Sequence, residues 1–190
     1  MNKKENSGYI KTHQVIQKSL LALLEQKDFK KITVNDVCTL AKINRSTFYA
    51  HFQDLYAVLE TIEQALESAL MNAYAADHTL NDNIMSTDYL VILLEHIKEN
   101  SIFYQAYLSD TASSMLDKSM EMLQNQIVRP LHQKLNMPER YGTYYFNFFK
   151  TGFITVLRQW LADGCPESSE QLAAIIVSCI PDFPPELFIF

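Results

Sequence analysis

The stretch Thr33–Phe52, T-V-N-D-V-C-T-L-A-K-I-N-R-S-T-F-Y-A-H-F, constrains this chain more than any other part of it. Thr33 is an N-cap residue, since its hydroxyl can accept from the free N–H groups of a first helical turn. Val34, Val37, Leu40 and Ala41 follow at i, i+3, i+6 and i+7, which predicts one apolar helical face. Asp36 falls in the first turn, where negative charge suits the positive end of the helix dipole. Lys42-Ile43-Asn44 interrupts the pattern, and Asn44 is placed to cap a second short helix. In that helix Phe48 and Phe52 are expected to turn inward. Arg45, Ser46, Thr47, Tyr49 and His51 are expected to face out.

Two short helices around a three- or four-residue turn make the helix-turn-helix pattern, whose second helix enters the DNA major groove. The outward set suits that role. Arg can make two hydrogen bonds to guanine, and Ser and Thr can bond base edges. Tyr and His can reach phosphate oxygens and fix the register. Taken alone, such a helix is also an ordinary solvated face. The helix and turn ahead of it favour nucleic-acid recognition.

The same residues carry a resemblance. Ile32-Thr33-Val34, the run A-x-I-N-R-S-T-F-Y from Ala41, and Tyr49-Ala50-His51-Phe52 resemble the DNA-binding segment of TetR-type bacterial regulators. The match covers about the first third of the chain. Further on it rests on helical organisation and on Trp160-Leu161-x-x-Gly164. The resemblance implies that Thr33, Asn44, Arg45, Ser46, Thr47, Tyr49 and His51 contact a double-stranded DNA operator. Two departures stand out. Lys42 occupies a turn position where the family usually has Gly, so a differently shaped turn is expected, because Gly alone takes positive φ cheaply. Leu55, after Asp54, stands where the family often has a phosphate-binding Lys.

Charge supports a localised footprint. The net charge is −6, yet residues 1–56 hold nine Lys and Arg against five Asp and Glu, and residues 57–190 hold seven against seventeen. A basic N-terminal unit on an acidic body is the pattern of a nucleic-acid-binding head. The acidic body should repel phosphate and help orient the molecule.

Length suits one or two domains and composition favours an all-α protein; the resemblance implies two, a helix-turn-helix DNA-binding domain over residues 1–56 and a helical regulatory and dimerisation domain over 57–190, with about nine helices in all. Hydrophobic residues make up 48% of the 190-residue chain, with only four Gly and six Pro, three of them in the last ten residues. No apolar run reaches about 18 residues, so no membrane span is expected. The polar start Met-Asn-Lys-Lys-Glu-Asn-Ser has no signal-type segment behind it, and the expected location is the cytoplasm. Cys38, Cys165 and Cys179 form no pair motif, and the five His residues (13, 51, 78, 96 and 132) show no metal-ligand spacing. No metal, cofactor or catalytic residue is expected: the chain has no Gly-rich phosphate loop and no nucleophile motif.

Along the chain, residues 1–8 read as a mobile, polar arm. A helix is expected from Tyr9 to Lys27, with Ile16, Leu20, Leu23 and Leu24 inward. Phe29 and Ile32 should cover the small core. Asp54 should cap a long helix from Leu55 to Tyr74, striped by Leu55, Val58, Leu59, Ile62, Leu66 and Leu70. Residues 75–87 read as a loop. Helices then follow over 88–100, 102–108 and 112–135, the last interrupted by Pro130. Pro138 starts an aromatic helix over 139–162, which Gly164 ends. A last helix over 167–179 is striped by Leu172, Ile175, Ile176 and Cys179. The tail from Pro181 to Phe190 ends in four apolar residues.

Apolar residues ring nearly the whole 139–162 helix, which points to burial against a second copy of the chain. The resemblance likewise implies a homodimer in which the last two helices pair. It also implies a small-molecule pocket in the C-terminal domain. Tyr104, Tyr107, Met120, Tyr144, Tyr145 and Phe148 are the candidates to line it around a small apolar or aromatic ligand. Aromatics at helical spacing are equally the ordinary content of a core. The expected function is a repressor released from a palindromic operator by that ligand. The alternative is an activator or co-regulator under a protein partner. The C-terminal half keeps that alternative open: its aromatic helix and Trp-Leu-x-x-Gly end resemble the divergent TetR subgroup that includes dihydroxyacetone kinase regulators, some members of which activate.

Overall fold

A computed structural model describes residues 3–77, 86–109 and 138–179. The protein is all-α, with eight α-helices, one 3-10 turn and no strand among the described residues. Contacts divide it into two compact units, residues 1–76 and 77–190. The long helix after residue 56 therefore packs with the N-terminal unit.

The N-terminal unit holds α1 (Lys3–Leu24), a 3-10 turn (Phe29–Lys31), α2 (Val34–Ala41), α3 (Arg45–His51) and α4 (Leu55–Ala76). α1 starts earlier than the sequence suggested. Lys3 and Lys4 belong to its first turn, not to a free arm; Lys3, Lys4 and Glu5 are good helix formers and extend the packed helix outward past the weaker Asn6, Ser7 and Gly8. Gly8 sits inside it with open space around its Cα. The helix also ends sooner, where Gln26 and Lys27 N–H both donate to Leu23 O at 3.1 Å.

Ile16, Ser19 and Leu20 form the buried stripe of α1. They meet Val37, Cys38 and Ala41 of α2, with Phe48 and Phe52 closing the core as expected. Phe29 and Ile32 are buried as well. From α4 come Leu55, Val58, Leu59 and Ile62. Leu55 is thus a core residue, which explains why a charged side chain is absent there. Leu40 departs from the expected pattern and is 47% exposed. At 3.6 residues per turn, Cys38 lies nearer the centre of the Val34–Val37–Ala41 face and takes the inner place.

The C-terminal unit holds α5 (Thr87–Glu99), α6 (Ser101–Ser109), α7 (Glu139–Ala162) and α8 (Ser169–Ser178). α5 packs on α8, and α6 packs on α7. Leu90, Leu94 and Ile97 face Leu172, Ala173 and Ile176 across the first pair. α7 has the bounds read from the sequence. Gly164 (φ 79°) ends it: Cys165 N–H reaches back to Trp160 O at 2.8 Å and Gly164 N–H to Leu161 O at 3.2 Å. This is a Schellman stop, which needs a left-handed residue. α8 begins at a capping box in which Ser168 Oγ accepts from Gln171 N, and Gln171 Oε1 accepts from Ser168 N. Its inner face uses Ala173 in place of Ile175, which is 49% exposed, and Cys179 is exposed too. The expected helix over 112–135 with its Pro130 break, the loop at 78–85 and the tail from Pro181 lie outside the described residues.

Candidate nucleic-acid interface

The interface is built on two caps and a turn. Thr33 Oγ1 accepts from Asp36 N at 3.2 Å, while Asp36 Oδ2 accepts from Thr33 N at 2.8 Å. This reciprocal box satisfies two of the orphan groups at the start of α2. Asp36 Oδ2 also accepts from Lys27 Nζ at 2.9 Å and from Thr33 Oγ1 at 2.9 Å. The Lys27 ammonium and the Thr33 donors hold the Asp36 carboxyl down at about 2. Thr33 therefore works first as a cap, and Lys27 ties the end of α1 to the start of α2.

Lys42 adopts the left-handed conformation (φ 55°, ψ 43°). Its N–H donates to Thr39 O at 3.3 Å, and Ile43 N–H donates to Cys38 O at 3.0 Å. The turn thus takes the left-handed shape that a Gly would favour. The expectation of a different shape is corrected: two backbone hydrogen bonds hold Lys42 there despite its Cβ.

Asn44 starts α3. Its Oδ1 accepts from Thr47 N at 2.7 Å, from Ser46 Oγ at 2.7 Å and from Thr47 Oγ1 at 2.9 Å. One oxygen therefore orients both hydroxyls and leaves their lone pairs outward as acceptors. Arg45, Ser46 and Tyr49 are exposed, and Thr47 is half-buried. Arg45 lies over the Tyr49 ring with its guanidinium carbon 5.9 Å from the centroid, and Nη2 donates to Tyr49 Oη at 3.4 Å. Phe48 anchors the opposite face with no exposed surface. Four adjacent side chains of different hydrogen-bonding character thus stand together on one rigid short helix.

His51 is placed differently from the other four outward residues. It is half-buried and stacks on Tyr9 of α1, with ring centroids 4.1 Å apart. His13 lies 5.8 Å from it and stacks on Phe52 at 4.2 Å. Nδ1 of both imidazoles is buried without a hydrogen-bond partner. Burial lowers both His pKa values, and for His13 the neighbouring His51 lowers it further. Sequence reasoning missed the α1 half of this stack. Tyr9 and His13 are four residues apart on one helical face, which was the available signal. Burial raises the Cys38 thiol, against the opposing charge of Arg45. Among the described residues no group of three or more His, Cys, Asp or Glu converges as a metal site would require.

The six candidate ligand residues do not form one described wall. Tyr107 is buried and stacks on Phe103 at 5.3 Å. Tyr104 packs edge-on to Phe103 and to His96. Tyr145 is half-buried, and burial raises its pKa. Tyr144 is 56% exposed with its Oη accepting from Arg140 Nε at 2.7 Å, and Phe148 is 81% exposed. Met120 lies outside the described residues. A cleft of 310 Å³ is lined by Gln105, Leu108, Arg158, Leu161 and Ala162, none of them among the six.

A three-helix head with a helix-turn-helix, followed by a separate helical unit, is the architecture of a two-domain transcription regulator. Residues 86–182 match the family described as "Transcriptional regulator C-terminal region" (TetR_C_8). The chain belongs to the TetR family of transcription regulators. It is 32% identical over 116 residues to the HTH-type dhaKLM operon transcriptional activator DhaS of Lactococcus lactis, a match covering 58% of this chain. The match spans about half of that curated relative, 52% of its length. Two solved structures share the fold. A TetR transcriptional regulator from Streptococcus agalactiae superposes with a TM-score of 0.67 at 23% identity, over 92% of this chain and 96% of that one. The dihydroxyacetone kinase operon activator DhaS gives 0.51 at 22% identity, over 89% and 93%.

Proposed function

We propose that the protein is a homodimeric cytoplasmic regulator that binds an approximately palindromic DNA operator through α3. Arg45, Ser46, Thr47 and Tyr49 enter the major groove, with Arg45 reading a base and Tyr49 reaching a phosphate. Thr33 and Asn44 act at the same surface by fixing the starts of α2 and α3. His51 contributes by holding α3 against α1. The observation that carries this reading is the face of exposed Arg45, Ser46 and Tyr49 with half-buried Thr47, backed by buried Phe48 and pinned by the single oxygen of Asn44. Exposed Tyr144 and Phe148 on α7, with Ile175 on α8, support a second copy covering these helices.

Ligand-triggered release of a repressor is the first reading of the control. Activation is the second, and the activator role in the name of the Lactococcus lactis relative favours it. In that case a protein partner can replace the small ligand.

The test is fluorescence anisotropy of the purified chain with DNA from its own upstream region, against scrambled DNA of equal length. Selective binding that weakens steeply with salt is the expected result. Equal binding to both DNAs would refute an operator at that locus. Transcription in vitro from the same DNA, with and without the protein, then assigns the sign.

A further inference from the structure

Helices α6 and α7 are clasped by two side chains that reach across in opposite directions. Gln105 Nε2 of α6 donates to Leu161 O of α7 at 2.9 Å, and Arg158 Nε of α7 donates to Leu108 O of α6 at 2.7 Å. Both accepting carbonyls lie near helix C-termini, where the last C=O groups lack intrahelical partners. Leu161 O thereby gains a second donor beside Gly164 N–H, and Leu108 O gains a charged one. The clasp also fixes the guanidinium plane. Arg158 spends only its Nε–H on Leu108, and no carboxylate pairs with it among the described residues. The edge carrying Nη1 and Nη2 keeps four N–H donors in a half-buried position. Arg158 also lines the 310 Å³ cleft, whose other described walls are Gln105, Leu108, Leu161 and Ala162.

We propose that this cleft binds a small monocarboxylate, with the carboxylate end-on to the Arg158 fork and the short apolar body on Leu108, Leu161 and Ala162. Three features select this class. A planar fork matches the two oxygens of a carboxylate. One guanidinium balances the single charge of a carboxylate, whereas a phosphate dianion would leave one charge without a cation among the described lining residues. The apolar walls favour a hydrocarbon body over a sugar. The volume is at the small end of ligand pockets, which favours a single ring or a short chain. Gln105 Oε1 remains as an acceptor for a hydroxyl on the ligand. Because the fork hangs from the bond that ties α6 to α7, occupancy would change how firmly the two helices are held. This names the ligand class for the regulator reading above and rests on it.

The test uses the full chain, with benzoate and hexanoate as probes and benzamide and hexanamide as uncharged matches. Binding is followed by calorimetry and by Trp160 fluorescence, without DNA. Carboxylate binding at millimolar concentration or tighter, absent for the amides, is expected. Arg158→Gln should weaken it by about tenfold or more. Ala162→Phe keeps the clasp intact and fills the cleft from an exposed position, so it should also abolish binding should Arg158→Gln fail to fold. Amides binding as well as acids, retention of binding in Ala162→Phe, or no binding by either acid at 10 mM (on the order of the weakest useful ligand affinity) would overturn the proposal. DNA anisotropy without carboxylate is run in parallel, so a failure of operator binding is seen separately.

Discussion

Replacing Lys42 with Gly should stabilise the recognition turn, and the size of the effect follows from the backbone. Lys42 sits at φ 55°, ψ 43°, is exposed, and is held through main-chain bonds that a substitution leaves in place. A left-handed conformation costs an L-residue roughly 1–2 kcal/mol, because Cβ approaches the following carbonyl. Gly avoids that but loses more freedom on folding, at a cost of roughly 0.5–1 kcal/mol. The first term is larger, so the net gain is about 0.5–1 kcal/mol. Lys42→Ala keeps the Cβ while removing the rest of the side chain, which makes it the control. The single Trp160 lies in the other unit and is blind to this turn. Hydrogen exchange over residues 33–52 of the full chain is the proper readout, since it reports local opening. Exchange in Lys42→Gly should be slower than in Lys42→Ala by a factor of about 2–5. Equal or faster exchange would show that the turn stores no strain and that the reasoning is wrong.

Four further outcomes are expected. Arg45→Ala should cost about 1–3 kcal/mol in operator affinity and relax base choice at one position, as read by anisotropy on single-base operator variants; unchanged affinity would remove Arg45 from base reading. The Asp36 carboxyl is depressed to about 2 in the folded chain, so its stabilising bonds to Lys27 and Thr33 are intact above the unfolded value and are lost as pH falls toward 2. Acid unfolding of the head should therefore begin at higher pH in Asp36→Asn, by circular dichroism. His13 and His51 are depressed as well, so their contribution is complete above their ordinary pKa of 6.5 and declines as pH falls below it; imidazole NMR titrations that place both at or above 6.5 would contradict the stacked, dry site. Phe148→Asp places a charge on the most exposed aromatic of α7 and should yield monomer by light scattering, with unchanged helicity.

Local signals were legible because they act over three or four residues. Thr33 and Asn44 are caps in the structure, Phe48 and Phe52 are buried, and Gly164 is the left-handed stop of α7. Each depends on hydrogen bonds or periodicity within one turn of chain. Leu40, Ile175 and His51 were misplaced because an apolar stripe leaves the centre of the buried face undetermined by about one residue to either side. The neighbouring helix settles it: Cys38 and Ala173 take the inner places, and Tyr9 draws His51 inward. Arg158 and Gln105 carried no sequence signal. Their meaning lies in two bonds between residues 50 and 56 apart.

The sequence by itself determined the all-α class, the helix-turn-helix with its outward polar set, the basic head and the aromatic helix 139–162. These are matters of periodicity, capping and charge, which a chain carries locally. Tertiary structure alone decided that Lys42 would be held in a left-handed turn, that α4 would pack with the head, and that His51 would become part of an inter-helix stack. It also decided that the guanidinium of Arg158 would be fixed beside an apolar cleft. Each of these depends on where a second helix lies, and packing between distant residues sets that position.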